Sequence, residues 1–223
     1  MLDESKRHLI WVPIIHTQAD LGSLSGSVRR LYVRKIGQAK WDQHIQAVHE
    51  IWAAIRETLS GLALDYDRVR LYQDGLPNCG HEVEIVRDLV RAGSENHQLL
   101  MDLFGQGAKL VGTESPGLLL EEYELARQVV VALETGQASG LAQRQRELGK
   151  LLLDKRDSYI AARIDETLGQ GEIGLLFLGL LHSLDGRLAA DIRVTRLGSA
   201  QRVAPSGRRA GPAKQRSKAH GED

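Results

Sequence analysis

The sequence predicts an α/β fold, a mainly parallel central sheet flanked by helices, in a single domain over residues 1–198. Three observations carry this. Apolar strand-like runs alternate with helical periodicity along the chain, the pattern of βαβ units. One run, Gly174 to Leu181, has eight residues without a polar side chain, as expected of a strand buried on both faces of a parallel sheet. Finally, 223 residues with 42% hydrophobic content are enough for one full core.

The elements follow in order. His8 to Ile15 is a β-rich run that stops at His16; Pro13 removes a ladder donor, so this strand is expected at an edge or irregular there. Gln18 to Ser27 reads as a Gly/Ser-rich loop, and the basic stretch Arg29 to Lys40 as a short helix or an extended arm. Trp41, Ile45, Val48, Ile51, Ile55 and Leu59 recur at three- and four-residue steps and define one face of a helix that Gly61 stops. Val69 to Tyr72 is a short strand followed by turn chemistry, Gln73-Asp-Gly-Leu-Pro77. Two helical patches, split at Gly93-Ser94, lead to a third strand over 108–112 that ends at Thr113-Glu114-Ser115-Pro116. Helices are expected from about Leu118 to Thr135 and from about Leu141 to Leu168. The strand over 173–181, ending on His182, and a last short strand at Asp191 to Thr195 complete the domain.

From about residue 199 to residue 223 the composition shifts to Gly, Pro, Ser, Arg and Lys with almost nothing to bury, so a disordered basic tail is expected. The 29 basic and 29 acidic residues are thus unevenly placed. Residues 1–200 hold 23 Lys/Arg against 27 Asp/Glu, a net charge of −4, which argues against broad phosphate-backbone binding by the folded part. The tail, by contrast, suits contact with nucleic acid or an acidic partner. A lone cysteine, Cys79, forms no disulfide within the chain and fits a reducing compartment. The charged N-terminus does not read as a signal peptide, and no apolar run approaches a membrane span. A cytoplasmic protein without membrane contact is expected.

Parallel strands present their carboxyl ends on one rim, where ligands bind in open α/β sheets. The four main strands end next to His16, Asp74, Glu114 and His182. Two imidazoles and two carboxylates on one rim suit either shared acid/base work or a divalent metal such as Mn, Zn or Fe. Structural readings stand beside this one. Asp74-Gly75 is an ordinary turn pair, Glu114 precedes a helix N-terminus that favours a carboxylate, and His16 and His182 suit satisfied polar residues at strand ends. Arg156, next to Asp157 in a helical stretch, either forks onto an anionic group of a substrate or forms a surface charge pair. His81, Glu82 and Glu84 are weaker candidates, as is Cys79 as a nucleophile. His44, His49 and His97 have no partner at metal-ligand spacing. P-loop, dinucleotide-binding and serine-hydrolase motifs are absent from the sequence.

The segment Lys155-Arg-Asp-Ser-Tyr-Ile-Ala-Ala-Arg-Ile164, then Gly169-Gln-Gly171, then Gly174 to His182 resembles the C-terminal signature of the TraB / ChaN / erythromycin-esterase-like superfamily. Its members carry an Arg-Asp or Arg-Asn helix, a Gly turn and a hydrophobic strand with a Gly-x-x-His ending, matched here by Gly179-Leu180-Leu181-His182. Pro13-Ile14-Ile15-His16 resembles the family's first motif with the His kept and Pro13 in place of Gly. Asp74 and Glu114 match the acidic residues after the second and middle strands. The strong match covers about forty residues. The resemblance implies a hydrolase with a His/carboxylate site. His16, His182, Asp74 and Glu114 would then be catalytic, His16, His182 and Asp74 metal ligands, Arg156 substrate-binding, and the substrate a small molecule or peptide. The superfamily also includes members with no known activity, so a non-catalytic ligand-binding or regulatory module on the same rim is the alternative.

Overall fold

The computed structural model describes residues 6–17, 19–136 and 138–197. The elements are β1 (Arg7–Ile14), α1 (Ser25–Ile36), α2 (Gln38–Ser60), β2 (Val69–Gln73), α3 (Glu82–Arg91), α4 (Glu95–Gly105), β3 (Lys109–Val111), α5 (Pro116–Glu134), α6 (Ala138–Thr167), β4 (Ile173–Gly179) and β5 (Ile192–Arg196). The five strands form one sheet in the order β3-β2-β4-β1-β5, and every pairing is parallel. The expected α/β class is therefore the observed one. The basic tail expected over residues 199–223 lies outside the described residues.

Strand side chains alternate between two cores, as the period of two requires. Val12, Leu71, Leu175 and Phe177 face α2, α3 and α4, whose Val48, Trp52, Ile55, Val86, Leu99 and Leu100 complete the larger core. Leu9, Trp11, Tyr72, Leu176 and Leu178 face α6, which supplies Ile160, Ala161 and Ile164. With helices covering both faces, β4 is fully buried from Gly174 to Gly179, which explains its unbroken apolar run. The α2 stripe buries Trp41, Val48, Trp52, Ile55 and Leu59, so Trp52 takes the inward place expected of Ile51, which is 37% exposed.

Three expectations are corrected. The first concerns β1, which is an interior strand between β4 and β5 despite Pro13. Its β5 pairing stops at Trp11, whose carbonyl accepts from Leu197. Backbone polar groups two residues on point the same way, so the missing Pro13 donor faces the side where β5 has already ended. The second concerns the stretch expected as a loop up to Ser27, which forms a 3-10 segment (Ala19–Leu24) and the start of α1; of the short helix or extended arm expected from Arg29, the helix is what forms. Because α1 buries no residue, it leaves no apolar stripe to read. The third concerns β4, which ends at Gly179 rather than Leu181. The His182 amide donates to the Gly179 carbonyl at 3.2 Å, reversing the chain, so that Leu180 and Leu181 project from the turn, 67% and 85% exposed.

Candidate functional site

The rim forms where neighbouring strands end in register. Ile14 pairs with Gly179 and Gln73 with Phe177, so β1 releases His16, β2 releases Asp74 and β4 releases the turn to His182 side by side. Glu114 follows β3, and its segment bridges to Pro77 and Asn78 through the Asn78 amide, which donates to the Glu114 carbonyl at 2.8 Å. Gly112 makes that approach fit, since a Cβ there would lie 2.4 Å from the Asn78 Cα.

Asp74 is the centre. Its Oδ2 lies 3.2 Å from His16 Nε2 and 3.5 Å from His182 Nε2, and it accepts the Gly179 amide at 3.0 Å. A Cβ on Gly179 would sit 2.8 Å from that same oxygen, which gives the Gly-x-x-His spacing a physical cause. On the other side, Asp74 Oδ1 accepts from Arg156 Nη2 at 2.8 Å. Arg156 also forks onto Glu114, Nε to Oε2 at 2.6 Å and Nη2 to Oε1 at 2.7 Å, and its Nη1 donates to Glu122. His182 Nδ1 donates to Asp157 Oδ1 at 2.6 Å, and Asp157 Oδ2 accepts the Ser183 amide at 3.0 Å.

This geometry brings His16, His182, Asp74 and Glu114 together and changes the role of Arg156. The guanidinium is 3% exposed, and each of its nitrogens meets a carboxylate of this chain. It is a clamp on Asp74 and Glu114, with four of its five N–H donors engaged by carboxylates of this chain. Glu114 is fully buried and also accepts the Gly75 amide at 2.7 Å, so it stands behind Asp74 rather than at the reacting surface. Asp157, read from sequence only as part of a charge pair, is buried at 4% and orients His182. Because successive residues on a helix point about 100° apart, α6 sends Arg156 and Asp157 to opposite sides of one cluster. The one sequence signal for Asp157 is its place in the Arg-Asp pair of the resemblance. Glu82 instead caps its own turn, accepting the Cys79 and Gly80 amides, and Cys79, His81 and Glu84 are exposed.

Charge decides the protonation of the cluster. Three buried carboxylates, Asp74, Glu114 and Asp157, face one buried guanidinium. Two further positive charges restore balance, and the two imidazoles on Asp74 are placed to supply them. Burial pushes the Asp74 carboxyl up, but the hydrogen bonds from His16 and His182 outweigh it and hold Asp74 well below the usual range. The Asp74 hydrogen bond in turn holds His16 above its ordinary value against burial. Burial lowers His182, and Asp74 and Asp157 more than reverse this. For Glu114 burial wins, and its carboxyl lies above the usual value despite Arg156. The two imidazoles differ in access. The His182 side chain is 4% exposed and that of His16 is 43% exposed, so His16 is the member that meets solvent.

The segment bearing His16 is pinned from below. The Thr17 amide donates to Asp20 Oδ2 at 2.7 Å, and Asp20 Oδ1 accepts Ser94 Oγ at 2.6 Å beside His97 Nδ1 at 3.3 Å. Burial raises the Asp20 carboxyl, but bonds from His97, Ser94 and the Thr17 amide bring it below its ordinary value. Next to His16, the buried Thr17 hydroxyl has no hydrogen-bond partner among the described residues.

The residues present do not fit the expected metal. Asp74 Oδ1 is held by Arg156 and Oδ2 by the Gly179 amide. Among the described residues no three His, Cys, Asp or Glu side chains are grouped to hold a metal ion. Among them also, no helix is long and apolar enough to cross a membrane. No protein-family model matches the chain, and no curated protein or solved structure matches it either.

Proposed function

We propose that the chain is a hydrolase of small esters or amides in which His16 is the general acid/base. One observation carries the reading: two imidazoles from neighbouring strands meet on one oxygen of a buried carboxylate, and only His16 is open to solvent. Unprotonated His16 takes a proton from a water as the water oxygen bonds to the carbonyl carbon. It then returns the proton to the leaving oxygen or nitrogen as that bond to carbon breaks. Asp74 stabilises the imidazolium formed in between. His182, fixed by Asp157, holds Asp74 in place, and the Arg156–Glu114 clamp prevents the carboxylate from turning away. The partial resemblance to the TraB / ChaN / erythromycin-esterase-like superfamily supports the same assignment, since Gly179 and His182 fall at its motif positions. General acid/base action contributes roughly 10²–10⁴-fold. A panel of neutral esters and peptide amides, assayed with wild type and His16→Ala, tests the reading. At least a hundredfold loss in the variant is expected, and no turnover by wild type on any panel member would favour the non-catalytic binding module on the same rim.

A further inference from the structure

A cavity of about 440 Å³ opens beside His16, between α1, α2 and the turn into α4. That size falls within the range of small-ligand sites. Its two ends differ chemically. At one stand His16 and the unpartnered Thr17 hydroxyl. Elsewhere the wall is made of rings and aliphatic side chains. Tyr32 meets Trp41 edge-on with centroids 5.3 Å apart, and lies near-parallel to His44 at 5.6 Å and 23°. Trp41 is buried, so Tyr32 and His44 are the more accessible rings of this wall, with Ile45 beside them. Among the described residues no Lys or Arg lines the cavity. The one carboxylate among the described lining residues, Glu95, is engaged by His49 Nδ1 at 2.6 Å.

We infer that this cavity is the specificity pocket for an uncharged aromatic ring on the substrate, the ring resting on Tyr32 and His44 while its carbonyl lies at His16 and Thr17. Aromatic faces prefer other rings in offset or edge arrangements, and Tyr32, Trp41 and His44 already form such a stack with one side open. Electrostatics select against a carboxylate in that place. Among the described residues no guanidinium or ammonium lines the cavity to receive it, and once His16 has given up its proton the rim behind it holds an excess of buried carboxylates. Thr17 lines the same end of the cavity, and its buried hydroxyl has no partner among the described residues. This inference rests on the hydrolase reading only for the identity of the reacting end; the ring site stands or falls on binding alone.

The experiment therefore separates the two. Binding of 2-acetylnaphthalene, a neutral ketone that cannot be hydrolysed, is measured by tryptophan fluorescence and titration NMR, and hydrolysis of 2-naphthyl acetate is measured in parallel. The ketone should bind wild type with a saturable change in both readouts. It should bind about tenfold more weakly to Tyr32→Ala and to Ile45→Phe, which fills the cavity, and retain its affinity in Tyr32→Phe. Naphthalene-2-carboxylate should bind at least tenfold more weakly than the ketone above the pH at which His16 loses its proton. Equal ketone binding in Tyr32→Ala, Ile45→Phe and wild type, or a carboxylate that binds as well as the ketone, overturns the pocket. Should Tyr32→Ala fail to fold, Ile45→Phe and the carboxylate comparison decide alone. Ketone binding without any ester turnover would remove the hydrolase and leave the pocket in place.

Discussion

The two ends of the sheet both carry buried or half-buried arginines, and they use them in opposite ways. At the amino end Arg7 forks onto Asp191 at 2.7 and 2.8 Å, and Arg70 forks onto Glu172 at 2.9 Å in both bonds. Each of these arginines has its own carboxylate partner at bonding distance. Asp191 lies at about 2 and Glu172 below its ordinary value; for Asp191 the Arg7 hydrogen bond leads, while for Glu172 the Arg70 and Gly169 bonds overcome burial. At the carboxyl end one guanidinium serves Asp74 and Glu114 together, and Asp157 stands nearby with no guanidinium at all. The arginine–carboxylate pairs of the amino end therefore match one guanidinium to one close carboxylate and draw on no imidazole. The carboxyl end reaches balance only when its imidazoles hold protons, so it is the end whose charge changes with pH and with chemistry.

The largest effect should come from removing the shared guanidinium. Arg156→Ala leaves Asp74 and Glu114 facing each other without water, and breaking a buried pair in this way costs about 3–5 kcal/mol. Arg70→Ala, at a pair 28% and 17% exposed, should cost about 1 kcal/mol or less. Urea unfolding of both variants measures the contrast, and equal losses would erase the distinction between the ends.

Next comes Gly179→Ala. A methyl 2.8 Å from Asp74 Oδ2 must displace that carboxylate, at about 1–3 kcal/mol of overpacking, with a loss of ester turnover larger than the stability loss alone explains. Retained turnover with lowered stability would place Asp74 outside the reacting set.

The pH dependence sharpens the comparison further. His16 is held above the usual imidazole value of about 6.5, so turnover that needs it unprotonated should rise along a limb displaced above 6.5. Asp74→Asn should bring that limb down, because the charge that favours the imidazolium is gone. A limb that stays put in Asp74→Asn would remove the coupling. Stability runs the other way. The raised imidazoles contribute stability that is complete below about pH 6.5 and is lost as pH rises through their folded values. Asp74 contributes stability complete above about pH 3.9 and lost as pH falls through its depressed value. The melting temperature should therefore fall between pH 6 and 9 in wild type and fall less in His16→Gln. Smallest of all, Asp191→Asn at the amino end should leave that decline unchanged.

Much of this was legible in the chain. Strands show themselves by where their apolar runs stop, and His16, Asp74, Glu114 and His182 all lie just beyond those stops. What sequence could not supply is direction. Whether Arg156 faces a substrate or a carboxylate depends on the rotation of α6 relative to β4, which a local charge pair does not encode. Helix α1 was only half legible for a different reason: its Ser25-Gly26-Ser27 start reads as a loop, and with nothing buried it has no periodic stripe to decide between helix and arm. Pro13 misled because a strand can be interior along most of its length and still lose one neighbour before its end.

The strand order has a consequence in time. Strand β4 lies between β1 and β2, yet it is made only after residue 172, when most of the described chain already exists. Until then β1 and β2 have no common neighbour, and His16 and Asp74 have nothing to bring them together. Growing chains must hold two unpaired strand edges in waiting, the kind of exposed surface that makes parallel sheets slow to form and prone to association. The arrival of one short apolar segment then closes the sheet, buries the charges and assembles the rim at once, so a chain stalled before β4 has no rim at all.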